Sequence, residues 1–185
     1  MVRTFIAIDI PITHGISELY RFLELNFKGI EINYTPQSQF HVTLSFLGAT
    51  NTDQIKNLSA DLTNLACDSK PMVLEFNGIG VFRKKRVPQA IWIGIKPNDS
   101  LMELQLLINE LVVKQGFTSG HKIFSPHITL GRIKKVLPEN NLDWIINKNE
   151  GKDFGKVVIK EVVFYQSILT ANGAIYTVLQ NFILQ

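Results

Sequence analysis

The sequence predicts a mixed α and β protein built from two related lobes. Stretches typical of β-strands alternate along the chain with segments whose apolar residues recur every three or four positions, as on one face of a helix. A tetrapeptide, His-x-Thr-Leu, occurs twice, at positions 41–44 and 127–130, and each copy follows a predicted helix. Because 86 residues separate the two histidines, we expect each lobe to contribute one copy to a shared cleft.

In the first half of the chain, two predicted strands alternate with two predicted helices. Residues 2–10 form an apolar, β-branched run, and the next segment is predicted as a helix by an apolar face formed by Ile16, Leu19, Leu23 and Phe27. The tripeptide Tyr34-Thr35-Pro36 interrupts the chain before the first motif strand, residues 39–47. A second helix follows, with Asn51 or Thr52 as its N-cap.

The second half is predicted to begin with a pair of strands and a helix. The two strands, residues 71–80 and 89–95, are joined by the basic segment 83–86. The helix is predicted to start at Ser100, because Ser100 and Glu103 have the spacing of a capping box.

The remaining elements are a strand, a long polar segment and a hairpin. The second motif strand covers residues 127–134, and residues 138–155 are polar, so we expect a loop there with at most a short helix. Two further strands, residues 157–166 and 174–182, are predicted to close the chain as a hairpin.

Length, charge and cysteine content limit the size of the domain, its partners and its compartment. A chain of 185 residues with 45% hydrophobic residues can bury a sizeable core, and we expect a single bilobal domain over residues 1–185. The net charge of +3 permits a nucleic-acid partner without requiring one. Cys67 is the one cysteine, which excludes an intrachain disulfide and fits a reducing compartment. The apolar runs are too short to cross a membrane, so we expect a cytoplasmic protein.

Each motif copy places one imidazole and one hydroxyl on the same side of a strand. Side chains alternate between the faces of a strand, so His41 and Thr43 share one face, as do His127 and Thr129. An imidazole exchanges protons near neutral pH, and a hydroxyl can donate a hydrogen bond to an anionic oxygen. Two such pairs, facing each other, could protonate one oxygen and deprotonate another around a phosphorus atom. This arrangement predicts cleavage of a phosphodiester.

Other uses of these residues are less consistent with the sequence. A single His-x-Thr in a strand is usually structural, but two copies in matched contexts favour function. A metal site needs a third and usually a fourth ligand, and neither motif brings a further Asp, Glu or Cys to its strand face. We therefore expect no metal and no cofactor. Nucleophilic catalysis by Cys67 or Ser45 is disfavoured because no base lies beside either in the sequence.

The residues around both motifs resemble those of a known family. The resemblance covers nearly the whole chain, and its most specific parts are the runs Phe40-His41-Val42-Thr43-Leu44-Ser45-Phe46-Leu47-Gly48 and Phe124-Ser125-Pro126-His127-Ile128-Thr129-Leu130-Gly131-Arg132. The chain is similar to the two-histidine phosphoesterases, specifically the LigT-like RNA 2',3'-cyclic phosphodiesterases, also called 2'-5' RNA ligases.

The resemblance implies a fold and a division of roles. The fold is expected to be α+β, with two pseudo-symmetric lobes whose antiparallel sheets form a V-shaped cleft and whose helices pack on the outside. His41 matches the proton donor and His127 the proton acceptor, a division that the residues alone leave open. Thr43, Thr129 and Arg132 match phosphate-binding residues. Strict alternation would put Arg132 on the face opposite His127, so a bulge or the end of the strand must re-aim it, or it is a structural residue.

The expected substrate is RNA or a tRNA fragment with a 2',3'-cyclic phosphate end, bound by a monomer. Candidate RNA contacts are Arg3, Phe5, Tyr34 and Lys122. Tyr34 replaces a tryptophan usual in relatives and keeps a ring for stacking, whereas Lys122 replaces an arginine and loses bidentate geometry. Phe46, Tyr165 and Tyr176 are expected to be packing residues.

The residues leave three alternatives to RNA cyclic-phosphate hydrolysis. Ligation uses the same proton-transfer geometry with a ribose hydroxyl in place of water, as a 2'-5' RNA ligase would. A small cyclic nucleotide could replace the RNA end as the substrate. A non-catalytic RNA-end-binding module is the alternative of another class, although such a module has no need of two titrating groups.

Overall fold

The computed structural model describes residues 1–118, 123–170 and 173–185. Within these residues the chain forms nine strands and four α-helices, and a short 3₁₀ turn precedes the third strand. In chain order they are β1 (Val2–Asp9), α1 (His14–Asn26), β2 (Ile30–Tyr34), β3 (His41–Thr50), α2 (Thr52–Cys67), β4 (Met72–Lys84), β5 (Val87–Ile95), α3 (Asp99–Lys114), β6 (His127–Val136), α4 (Leu142–Lys148), β7 (Asp153–Ile159), β8 (Glu161–Thr170) and β9 (Gly173–Ile183).

The strands form two antiparallel sheets, and each sheet contains one motif strand. The first sheet has the order β3-β1-β8-β9, and the second has the order β2-β6-β5-β4-β7. Both sheets therefore combine strands from the two halves of the chain. The chain moves between the sheets several times, so neither lobe is a continuous segment. The predicted α+β class with two antiparallel sheets is confirmed.

The helices cover one face of each sheet. Helices α2 and α3 contact strands of the first sheet, whereas α1 and α4 contact strands of the second. The buried faces of both sheets and the helices that cover them share one continuous hydrophobic cluster. Among the described residues, no helix is long and apolar enough to cross a bilayer. Because the helices lie on the outer side of each sheet, the opposite faces remain free to form a site.

Strand alternation anchors both motif strands in this core. Val42 and Leu44 are 0% and 3% exposed, and Ile128 and Leu130 are 0% and 1% exposed. Each buried side chain of this size stabilises the fold by roughly 1.5–3 kcal/mol relative to an exposed one. The histidine and threonine that alternate with these apolar residues are half-buried and point away from the core. The apolar residues of each motif therefore hold its polar residues at the opposite face.

A β-bulge occurs at the same position of both motifs. In β3, the neighbouring strand pairs with Thr43 and Ser45 and leaves Leu44 without a partner. In β6, strand β5 pairs with Thr129 and Gly131 and leaves Leu130 without a partner. A bulge adds one residue and shifts the alternation of the residues that follow it, up to the next bulge. The fourth residue of each motif is therefore the point at which the side-chain pattern changes face.

Three elements differ from the sequence-based expectation. Strand β2 was not predicted from the sequence. Its five residues alternate between half-buried and exposed, and it forms a strand because it pairs with β6. The predicted strand 157–166 is two strands in different sheets, which meet at Lys160. Helix α3 begins at Asp99, and its N-cap is Asn98 instead of Ser100.

The position of this cap can be tested through stability. The Asn98 side chain accepts a hydrogen bond of 2.9 Å from the backbone N–H of Leu101 and donates one of 2.8 Å to the carbonyl of Val73. Asn98→Ala removes both, so we expect unfolding to become easier by about 1–2 kcal/mol. Calorimetry should show a Tm lower by about 2–8 °C.

Ser100→Ala is the matched control for the cap. Ser100 lies inside the helix, where alanine is the better helix former, so its substitution should leave the Tm nearly unchanged. A larger loss for Ser100→Ala than for Asn98→Ala would contradict the structural assignment.

Candidate active site

Each motif histidine makes the same kind of hydrogen bond to the backbone. The Nδ1 atom of His41 lies 2.7 Å from the carbonyl oxygen of Gln39, and Nδ1 of His127 lies 2.7 Å from that of Ser125. A carbonyl oxygen can only accept, so Nδ1 carries the hydrogen in each ring. The Nε2 atom of each neutral ring therefore keeps its lone pair. These are the two nitrogens that can take up or release a proton.

The two imidazoles are near enough to influence each other. Strands β3 and β6 belong to different sheets but are in contact. The positive charge of a protonated His127 lowers the pKa of His41, which is a direct electrostatic interaction between the two rings. The cleft faces of the two sheets thus bring the two motifs together, as the spacing of the tetrapeptides predicted.

Burial controls the protonation of both rings. It lowers the pKa of His41 and the pKa of His127 below the ordinary histidine value, because desolvation disfavours the charged form. The backbone hydrogen bond opposes this effect in each case, and Asp9 also opposes it for His41. An anion bound between the rings would favour protonation of one of them. The site is therefore suited to a phosphate group.

Aromatic rings surround each histidine. The centroid of the His41 ring lies 5.3 Å from Phe5 and 5.4 Å from Tyr176. The His127 ring meets Phe82 edge-on at 4.6 Å. These contacts restrict the orientation of both imidazoles and exclude water from one side of each ring.

Trp92 completes the aromatic wall beside His127. Its ring centroid lies 6.4 Å from that of His127, and it is paired with Thr129 across the sheet. The indole lies against Gly80 of the next strand, where any Cβ atom would collide with it. Glycine at this position is therefore required by close packing.

The bulges decide which residues beyond the motifs reach the cleft. Arg132 is paired with Ala90 and is exposed, and the next residue, Ile133, packs against the core. The bulge at Leu130 has therefore turned Arg132 to the face of His127, one of the outcomes that the sequence left open. Phe46 holds the equivalent position in the other motif.

Phe46 differs from its sequence-based expectation as a packing residue. Its side chain is 74% exposed, and its ring lies 6.0 Å from that of Phe5. Pairing with Phe5 places it on the same face as His41. In the sequence, Phe46 and Arg132 lie at the same spacing from their histidines. This spacing places both side chains on the cleft face only because each motif strand contains a bulge.

Asp9 and Tyr165 are polar residues of the site whose roles the sequence did not reveal: Asp9 was not predicted, and Tyr165 was expected to be a packing residue. Asp9 pairs with His41 across β1 and β3. The Tyr165 hydroxyl donates to both carboxylate oxygens of Asp9, at 2.8 Å and 2.6 Å. These residues, with Gln39, His41 and Tyr176, line a cavity of about 180 Å³ beside the His41 ring. Burial and the neighbouring Asp9 carboxylate raise the pKa of Tyr165, so its hydroxyl stays protonated as a donor.

The predicted RNA contacts have different positions. Arg3 is exposed on the cleft face of β1. Phe5 is on that face too, but it is 2% exposed, so it supports the His41 ring and has no surface to offer RNA. Lys122 lies outside the described residues.

Tyr34 is not brought to the cleft. It pairs with Gly131 on the face that packs against α1, and its ring lies 5.5 Å from that of Tyr20. Burial, together with Glu24 and Tyr20, raises the pKa of Tyr34 to about 12. This position gives no support to the predicted stacking on a base, because the ring points away from both histidines.

Metal ligands are a separate question. In the described part of the chain, no group of three or more His, Cys, Asp or Glu side chains is placed to hold a metal ion. Cys67 is the last residue of α2 and is exposed.

Comparison with known proteins agrees with this geometry. A family model described as "LigT like Phosphoesterase" matches the chain twice, over residues 6–92 and over residues 93–176. Each match contains one copy of the tetrapeptide, so the two copies belong to two related halves.

Proteins of similar sequence have one name in common. A Methanocaldococcus jannaschii protein named RNA 2',3'-cyclic phosphodiesterase is 32% identical over 179 residues, covering 97% of this chain and 99% of the relative. A Thermotoga maritima protein of the same name is 31% identical over 182 residues, covering 96% and 93%.

Solved structures share the fold. A Thermus thermophilus protein matches with a TM-score of 0.73 and 25% identity, covering 98% of this chain and 97% of that one. Escherichia coli LigT in complex with 3'-AMP matches with a TM-score of 0.78 over 100% of this chain and 98% of its own. At 21% identity, the second likeness concerns the fold alone.

The tautomers of the histidines can be measured directly. At a pH where the imidazole rings are uncharged, we expect ¹H–¹⁵N NMR to show the hydrogen on Nδ1 for both His41 and His127, because both donate to a carbonyl. His14 is the internal control, since its Nε2 lies 3.2 Å from a Glu18 oxygen and should carry the hydrogen instead. An Nε2–H tautomer at either motif histidine would contradict the geometry.

Proposed function

Because the chain belongs to the LigT-like phosphoesterase family, we propose that it is an RNA 2',3'-cyclic phosphodiesterase. It hydrolyses the cyclic phosphodiester at an RNA end to a 2'-phosphate. The observation that carries this proposal is the pair of histidines in one cleft, each with its Nδ1 bound to a carbonyl, so that Nε2 keeps its lone pair, and each with a threonine on the same strand face. The names of the relatives that match nearly the whole chain support the same activity.

The site residues have complementary roles in the proposed reaction. Nε2 of His127 takes a proton from water, whose oxygen attacks the phosphorus. The bond from phosphorus to O3' breaks, and Nε2 of His41 gives its proton to the departing O3'. Acid and base catalysis each contribute roughly a hundred- to ten-thousandfold in rate, so the two histidines together can supply much of the acceleration.

The charge on the phosphate is stabilised by the remaining polar residues. Thr43 and Thr129 lie on the same strand faces as the histidines and donate to the non-bridging oxygens. Arg132, turned into the cleft by its bulge, adds a positive charge and bidentate donors. These assignments follow from position and chemistry, and each extends the proposal.

RNA ends, including those of tRNA fragments, are the proposed substrates. The net charge of +3 favours a polyanion. Phe46 offers an exposed ring on the cleft face, and nucleobases stack on such rings. The names of the relatives favour hydrolysis over ligation as the reaction.

The proposal extends to how the chain works as a unit. We place the activity in one bilobal domain of residues 1–185, since both sheets contain strands from both halves and share one core. The chain is proposed to act as a monomer, because one copy supplies both histidines and both threonines. A cytoplasmic location is proposed on the basis of the single, exposed thiol of Cys67.

Substitution of either histidine tests the function. His41→Ala and His127→Ala should each lower kcat by about a hundred- to ten-thousandfold on an oligonucleotide with a 2',3'-cyclic phosphate end. EDTA should leave the wild-type rate unchanged, and the product should carry a 2'-phosphate. The measurement is chromatographic separation of cyclic and opened ends over time.

His14→Ala is the matched control, since His14 is exposed at the start of α1 and pairs with Glu18. It should keep the wild-type rate. Full activity of either motif variant would exclude the acid–base pair, and inhibition by EDTA would favour a metal-dependent reaction.

A further inference from the structure

The two halves of the site are alike in almost every respect. Each histidine begins its strand, donates Nδ1–H to the carbonyl two residues earlier, and precedes a threonine and a bulge. Each ring is also in contact with aromatic side chains. The proposed reaction nevertheless requires one histidine to hold a proton while the other lacks one. Some feature must therefore make the two rings unequal.

The residues paired with the two histidines supply the difference. His41 is paired with Asp9 of β1, whereas His127 is paired with Gly94 of β5. Directly opposed residues of antiparallel strands share a face, with Cβ atoms about 4.5–5.5 Å apart. A carboxylate therefore lies beside one imidazole, and a residue without a side chain lies beside the other.

Tyr165 holds the carboxylate in place. Its hydroxyl donates to both oxygens of Asp9, at 2.8 Å and 2.6 Å, which limits rotation of the carboxylate. The Tyr165 ring is stacked on Phe5 at 5.1 Å, and Phe5 in turn contacts the His41 ring. Asp9, Tyr165 and His41 line the same cavity. The negative charge thus has a defined position relative to the imidazole.

We propose that Asp9, oriented by Tyr165, is the positioning residue that commits His41 to the role of proton donor. The inference rests on the proposed function and gives a physical reason for its division of roles. Asp9 does not touch the reacting atoms. It acts through His41, whose charged form its carboxylate favours.

The other groups around His41 do not distinguish it from His127 in this way. The Gln39 carbonyl also favours the charged form of His41, but the Ser125 carbonyl has the same effect on His127. Across the cleft, His127 opposes a charge on His41, as does burial. Tyr176 of β9 meets the His41 ring edge-on at 5.4 Å. Tyr165 of β8 stays neutral because burial and the Asp9 carboxylate raise its pKa. The carboxylate of Asp9 favours the imidazolium form of His41, and Gly94, at the matching position beside His127, offers no such charge.

Asp9→Asn tests the proposal by removing the charge while keeping the shape. NMR titration should show the pKa of His41 lowered by about half a unit to one unit, with the pKa of His127 nearly unchanged. If His41 donates the proton, kcat/KM should fall about three- to tenfold on the alkaline side of the pH profile and stay unchanged on the acid side. If His41 accepts the proton instead, kcat/KM should rise on the acid side, which would overturn the assignment.

Tyr165→Phe separates charge from hydrogen bonding. This variant loses the hydrogen bonds from Tyr165 to Asp9 but keeps the carboxylate, so the pKa of His41 and the alkaline rate should fall in the same direction as in Asp9→Asn but by a smaller amount. If Tyr165→Phe leaves both unchanged, Tyr165 does not orient Asp9, and if neither substitution moves the pKa of His41, the electrostatic role of Asp9 is wrong.

Failure of the proposed function gives a different result. In that case wild-type protein does not open the cyclic phosphate at all, while the NMR titration still reports whether Asp9 acts on His41.

Discussion

The alternation of side chains from the histidine to the leucine of each tetrapeptide is the constraint on which the site depends. Val42 and Ile128 are completely buried, so each strand is fixed in the register that points its histidine into the cleft. A slip of one residue would bury the imidazole and expose the apolar side chain, because the side-chain period of a strand is two. The same packing that stabilises the two sheets therefore sets the direction of both imidazole rings.

The similarity of the two halves of the site, together with the few positions where they differ, explains the proposed chemistry. Two related halves supply matching imidazoles, which suits a reaction that moves a proton at each of two oxygens on one phosphorus. The bulges then turn different residues to equivalent places, Phe46 in one half and Arg132 in the other. Asp9 adds a charge beside one ring alone, whereas the other half has Gly94 at the matching position. The scaffold is thus nearly symmetric, while the protonation states are not.

Much of this was predictable from the sequence, and the failures have physical causes. Local patterns predicted the helices, most strands and the two tetrapeptides, because alternation and helical spacing are properties of neighbouring residues. Features set by pairing between distant strands were not predictable. The proximity of Asp9 and His41 depends on the register of β1 and β3. The separation of β7 from β8 at Lys160 depends on which sheet each strand joins. The exposure of Phe46 depends on a bulge that alternation alone does not reveal.

The most direct test of the account uses a cyclic substrate with sulfur in place of the bridging 3' oxygen. A thiolate leaves without a proton donor far more readily than an alkoxide, since thiols ionise at about pH 8.5. If His41 gives the proton and His127 takes it, His41→Ala loses much less activity on the sulfur substrate than on the oxygen substrate, whereas His127→Ala is equally impaired on both. Equal impairment of His41→Ala on the two substrates would contradict the division of the two histidines into donor and acceptor.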